Sequence, residues 1–113
     1  MRLEWTLKAV GDLREAGDYI EEDNPEAAIK MAARVQEAIV NLIEHPNLGR
    51  PGRLQATREL VVSGTPFILV YWVRGAAVQI LRGLHHSRKW PKRIHKPYSQ
   101  RSTEHFFPIR YLA

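Results

Sequence analysis

Hydrophobic positions recur at steps of three and four up to about residue 44. From 57 to 86 they change to short apolar runs and alternation. Arg2 to Thr6 alternates over one short stretch, so a brief first strand is predicted with Leu3 and Trp5 on one face. From Leu7 to about Glu22, Val10, Leu13, Gly17 and Ile20 collect on one side of a helix. Gly11 and Gly17 each weaken that helix by roughly 1 kcal/mol relative to alanine, so it depends on tertiary packing. Asn24-Pro25-Glu26 is a strong helix start: Asn accepts from orphan amides, Pro presets φ, and Glu complements the positive end of the dipole. A second helix is expected from Pro25 to about Glu44. Its stripe is Ala28, Ala32, Val35, Ile39 and Leu42, broadened by Met31 and Ile43, and His45-Pro46 stops it. Only a couple of residues separate the helices, which must fold back as an antiparallel hairpin.

Asn47 to Arg53 is rich in turn formers and reads as an exposed loop. Three strand-like runs follow, Thr57 to Val62, Phe67 to Val73 and Ala77 to about His86, filled by β-branched and aromatic residues. Their short connections predict an antiparallel meander. Tyr71 and Trp72 are neighbours on the middle run, so they point to opposite faces. The expected fold class is α+β: a strand, an antiparallel helical hairpin, then a three-stranded antiparallel meander, with one layer of helices on a twisted sheet. Residues 1–91 form the expected domain. Residues 92–113 are basic and polar with a late apolar cluster, Phe106-Phe107-Pro108-Ile109, and show no period.

Composition narrows the function classes. The chain has 113 residues, 44% of them hydrophobic and 26% charged, an ordinary globular balance for one domain. It has no cysteine, which excludes disulfides and thiolate metal sites. The amino terminus carries Glu4 and no long apolar run, and Phe67 to Val73 is too short to span a bilayer, so a soluble cytoplasmic protein is expected. The net charge is +5 and unevenly placed: acidic residues outnumber basic ones up to Glu44, whereas from Arg50 onward only Glu59 and Glu104 oppose many Arg and Lys. One end should therefore present a positive field attractive to nucleic acid or to an acidic protein segment. Neither His45 nor His95 has the company a metal site needs, and no cofactor is implied.

The order of elements is joined by a series of short landmarks. They run His45-Pro46, Gly49-Arg50-Pro51-Gly52-Arg53, Thr57-Arg58-Glu59-Leu60, Phe67-Ile68-Leu69-Val70-Tyr71, Ile80-Leu81-Arg82 with His85, and Arg88-Lys89-Trp90-Pro91. In that order and spacing they resemble the RelE/ParE toxin superfamily over Met1 to Pro91. The resemblance implies the toxin of a bacterial type II toxin-antitoxin module, neutralised by a cognate antitoxin of ParD/RelB type with an acidic, amphipathic segment, in a hetero-oligomer. The resemblance does not extend to residues 92–113, whose basic, aperiodic sequence reads as a disordered tail, an antitoxin-contacting arm, or sequence acquired by readthrough.

Within that superfamily two targets are open. RelE- and YafQ-like members cut messenger RNA on the ribosome, which without a metal needs a group to take the 2′-hydroxyl proton, a group to stabilise the phosphorane and a group to protonate the leaving oxygen. On that resemblance His86 is the acid-base candidate, with Arg82 and Arg58 as phosphate-holding partners. Arg82 and His86 lie four apart, so a regular strand puts them on one face and His85 on the other. ParE-like members instead poison DNA gyrase, and Arg82, His85 and Arg88 match their spacing, with His86 where a small residue is usual. The Arg-Trp-Pro ending and the Gly-Arg-Pro loop also resemble ParE, which places Arg50, Arg53, Arg82, His85, Arg88, Lys89 and Trp90 in target binding. Gyrase is the favoured target, a ribosome-dependent mRNA endoribonuclease the alternative, and a degenerate toxin retaining only antitoxin binding the third reading. The same residues have plain structural explanations: a His pair at a strand end is commonly solvated, Arg82 among aliphatic neighbours can reach to a sheet edge, and Arg50 and Arg53 can simply solvate a loop.

Overall fold

Thr6 ends one element and starts the next. In the computed structural model, which describes residues 1–85, β1 covers Arg2–Trp5 and α1 covers Leu7–Asp23. The Thr6 hydroxyl oxygen accepts the Ala9 N–H at 3.0 Å and donates to the Leu81 carbonyl at 2.9 Å, so one buried side chain caps the helix and ties it to a distant strand. Asn24 is shared in the same way. Its backbone N–H closes α1 on the Ile20 carbonyl, while its side chain accepts from Ala27 at the start of α2, Pro25–Glu44. The hairpin therefore turns on a single residue.

Four further strands follow: β2 (Arg50–Pro51), β3 (Arg58–Val61), β4 (Phe67–Arg74) and β5 (Ala77–His85). Gly64 and Gly75 have φ of +78° and +59° at the β3-β4 and β4-β5 turns, a region that glycine enters without steric cost. The expected meander is present, but it is part of a larger mixed sheet of order β1-β5-β4-β3-β2. Strand β1 pairs in parallel with β5, from Arg2 opposite Ala77 to Trp5 opposite Ile80. That makes the last described strand an interior one. Strand β2 corrects the expectation of a pure loop at 47–53; two residues are too few to carry a period, and their partners Arg58 and Glu59 supply the pairing.

One face of the sheet packs on the helical hairpin. Leu3 and Trp5 of β1 meet Leu13 of α1, Val35 and Leu42 of α2, and Leu69, Tyr71, Val78 and Ile80 of the central strands in the main core. Alternation along β4 turns Ile68, Val70 and Trp72 to the opposite face. A β-bulge lies between these strands: Val70 pairs with Arg82 but Tyr71 pairs with Ile80, leaving Leu81 as the extra residue. Among the described residues no helix is long and apolar enough to cross a membrane. The expected boundary at 91 and the tail 92–113 lie outside the described residues.

Candidate functional site

The bulge at Leu81 sits where β5 outruns its parallel partner β1, whose pairing stops at Ile80. Past that point α1 takes over beside the strand. Asp12 accepts from Arg82 Nε at 2.6 Å and Nη2 at 3.1 Å, and its Oδ2 also accepts the Gly83 backbone N–H at 3.0 Å. Both side chains are mostly buried, with exposures of 17% and 16%. A bidentate guanidinium-carboxylate contact of this kind is directional and strong when partly desolvated. A regular strand was expected to put Arg82 and His86 on one face; the Arg82 charge is matched by a carboxylate from α1. The bulge interrupts alternation just before it, so Ile80 and Arg82 do not continue one simple face.

Next to this ion pair runs a groove of about 650 Å³ between the helical hairpin, the β3-β4 turn and the end of β5. Tyr19 and Ile20 of α1, Met31 of α2 and Phe67 of β4 give it apolar walls, and Lys30 and Arg34 add positive charge from α2. Tyr19 is 68% exposed, a large aromatic surface for an isolated domain to leave in water. Gly83 faces the Phe67 ring so closely that a Cβ there would lie 2.6 Å from it. His85 lines the same groove.

The remaining arginine candidates among the described residues, Arg50, Arg53 and Arg58, gather at the other edge of the sheet. Arg58 donates to the Gly49 carbonyl at 2.7 Å and, through a longer contact of 3.5 Å, to the Asn47 carbonyl. Tyr71, fully buried, accepts the Gly49 N–H at 2.9 Å and donates to the Pro46 carbonyl at 2.7 Å. Burial pushes the Tyr71 hydroxyl above its ordinary pKa, and the Gly49 N–H and the Arg58 charge oppose that shift. Arg50 and Arg53 both bind Glu59, a residue only 2% exposed, while keeping most of their own surface in solvent. Glu59 stood in the sequence only as part of a landmark and of the charge balance, with no role of its own. Its signal is a carboxylate on a strand otherwise flanked by arginines, which gains meaning only when the loop is seen to fold back on it.

A third polar arrangement crosses β4, β5 and β1. Trp72 Nε1 donates to Gln79 at 2.6 Å, Gln79 donates to Glu4 at 2.6 Å, and Arg2 donates to Glu4 at 3.0 Å. Arg74 stacks over the Trp72 ring at 3.7 Å from its centroid. The Gln79 hydrogen bond, with the Arg2 hydrogen bond and charge, holds the Glu4 carboxyl below its ordinary pKa against the opposing effect of burial. Among the described residues no group of three or more potential metal ligands occurs. His86, Arg88, Lys89 and Trp90 lie outside the described residues.

This strand-hairpin-sheet arrangement has relatives. Residues 3–90 match the family described as ParE toxin of type II toxin-antitoxin system, parDE. The chain belongs to the ParE toxin family. It is 44% identical over 91 residues to the Y4kP protein of Sinorhizobium fredii, covering 80% of this chain and 94% of that relative. Toxin RelE2 of Caulobacter vibrioides is 39% identical over 84 residues, covering 74% of this chain and 93% of its own. A solved structure from the chromosomal ParDE TA system of P. aeruginosa matches with a TM-score of 0.70 at 33% identity, over 75% of this chain and 95% of that one. Similarity at this level extends to fold and family together, so this ParE-family chain is a type II toxin with a mixed five-stranded sheet.

Proposed function

We propose that this ParE-family toxin arrests growth by binding DNA gyrase, with no bond-making chemistry of its own, and that a ParD-like antitoxin neutralises it. The observation that carries the target assignment is the state of the two described arginines that a nuclease would need. Arg82 is held bidentate by Asp12, and Arg58 is engaged with the carbonyls of Gly49 and Asn47. Neither is poised to stabilise a phosphorane, which requires donors aimed at the developing charge. Arg50 and Arg53, by contrast, keep side-chain exposures of 60% and 52% and suit a target surface, together with His85, Arg88, Lys89 and Trp90.

The groove beside the hairpin fits the antitoxin. Its apolar walls and the charges of Lys30 and Arg34 complement an acidic, amphipathic segment, the kind of partner that orders on docking into such a surface. The match to a parDE family supports a ParD-type partner encoded as its pair.

Induced expression of the chain, read two ways in the same culture, tests the target. A DNA-damage response without new messenger 5′ ends is the expected result. Primer-extension maps showing cleaved messengers, with toxicity abolished by His86→Ala, would instead establish the ribosome-dependent nuclease reading that the RelE2 relative's name keeps in view. Neither response would mean a toxin that retains only antitoxin binding.

A further inference from the structure

The Glu59 carboxylate is the sole buried acid among the described residues, and the contacts around it are directed. Its Oε2 accepts the Arg53 backbone N–H at 2.8 Å and lies 3.6 Å from Arg53 Nε, while its Oε1 accepts from Arg50 Nη2 at 3.3 Å. A buried carboxylate is costly unless charge and hydrogen bonds compensate it, so the loop carrying both arginines is drawn onto it. The loop is otherwise closed by its own bonds: Gly52 N–H to the Thr57 carbonyl at 2.8 Å, and the Thr57 hydroxyl to the Leu54 carbonyl at 2.6 Å. Ala56 takes a φ of +66°, a conformation a non-glycine residue adopts only where its surroundings impose it. Backbone pairing of Arg50 with Glu59 across β2 and β3 fixes the register of the contact.

We propose that Glu59 is a positioning residue for target recognition: its buried carboxylate holds Arg50 and Arg53 side by side at the β2 edge, presenting a paired guanidinium surface to carboxylates on gyrase. This rests on the gyrase reading. Two flexible arginines lose rotamer freedom when they bind, and a shared internal anchor removes much of that loss beforehand. Guanidinium groups aligned in advance also favour bidentate contact with carboxylates. Arg58, bound to loop carbonyls from the preceding position on β3, holds the other side of the same loop.

The decisive feature is the sign of one substitution. Glu59→Gln removes a negative charge and raises the formal net charge of +5 by one. If only the positive field mattered, an acidic target would then bind more tightly. If Glu59 positions the arginines, binding weakens.

The experiment measures the affinity of the full-length toxin and its variants for gyrase holoenzyme without DNA. The thermal midpoint and the affinity for the antitoxin are measured on the same samples. Arg50→Ala/Arg53→Ala is expected to weaken gyrase binding by roughly tenfold or more, and Glu59→Gln by roughly three- to tenfold, with Glu59→Asp recovering part of the loss. Antitoxin affinity should stay within about twofold throughout. In parallel, the guanidinium N–H resonances of Arg50 (Nη) and Arg53 (Nε) are followed by NMR; both should be resolved in the parent toxin and collapse toward the free-arginine position in Glu59→Gln.

Gyrase binding that is unchanged or tighter in Glu59→Gln, while the double alanine variant is weakened, overturns the proposal. Unchanged arginine resonances in Glu59→Gln overturn it as well. A parent toxin that fails to bind gyrase removes the target reading instead, and the NMR comparison then still decides whether Glu59 holds the two arginines.

Discussion

Asp12 and Arg82 face each other across α1 and β5 with hydrogen bonds of 2.6 and 3.1 Å, and Asp12 also takes the Gly83 N–H. One carboxylate thus occupies the place where a further strand would pair with β5. Removing it leaves a mostly buried guanidinium and a backbone N–H without their acceptor. Asp12→Ala should therefore lower unfolding free energy by about 2–3 kcal/mol. Urea denaturation of Asp12→Ala, Arg82→Ala and the double variant checks this, and the double variant should lose less than the two single losses added together.

A second prediction concerns the pairing of Tyr71 with Gly49. The hydroxyl joins the Gly49 N–H to the Pro46 carbonyl, and a Cβ on Gly49 would lie 2.8 Å from the Tyr71 ring and 2.9 Å from the Glu59 carbonyl oxygen. Tyr71→Phe should cost about 1–2 kcal/mol by leaving both backbone groups unsatisfied. Gly49→Ala should cost about 1–3 kcal/mol by overpacking, because two of its near neighbours are a buried ring and backbone. Denaturant midpoints read both, and amide exchange at residue 49 should speed up in Tyr71→Phe.

Those contacts show where sequence reading stops. Asn24-Pro25 and His45-Pro46 bound α2 as expected, since capping and proline act within a few residues. The parallel pairing of β1 with β5 is a choice made across the whole chain, and a four-residue strand carries nothing that names its partner. Strand β2 was invisible for a related reason: Arg50-Pro51 reads as a turn until Arg58 and Glu59 are placed beside it. Arg82 was singled out in the sequence, but its partner Asp12 lies 70 positions away on the polar side of an amphipathic pattern. Neither charge nor period distinguishes that aspartate from its solvated neighbours. The same limit hid Glu59, whose role depends on a loop folding back over it.

Stability should respond to pH at two well-separated places. The folded state holds the Glu4 carboxyl below 4.5, chiefly through the Gln79 hydrogen bond, so its contribution is present at neutral pH and lost as pH falls through the folded value. The Tyr71 hydroxyl is shifted above 10.0 by burial, so its contribution is intact below that pH and declines as pH rises through the folded value. Thermal midpoints of the parent, Glu4→Gln and Tyr71→Phe across pH check both signs. The penalty of Glu4→Gln should shrink in acid, and Tyr71→Phe should lack the alkaline component of the parent's decline.

Family membership fixes this chain as a toxin, and we propose that its target is bound, not cut. Purified full-length toxin added to gyrase and relaxed plasmid puts that to the most direct trial. Supercoiling should fall as toxin is added and recover when the antitoxin is supplied in equal amount. Undiminished supercoiling at saturating toxin, with the same preparation cutting messenger on translating ribosomes, would contradict it.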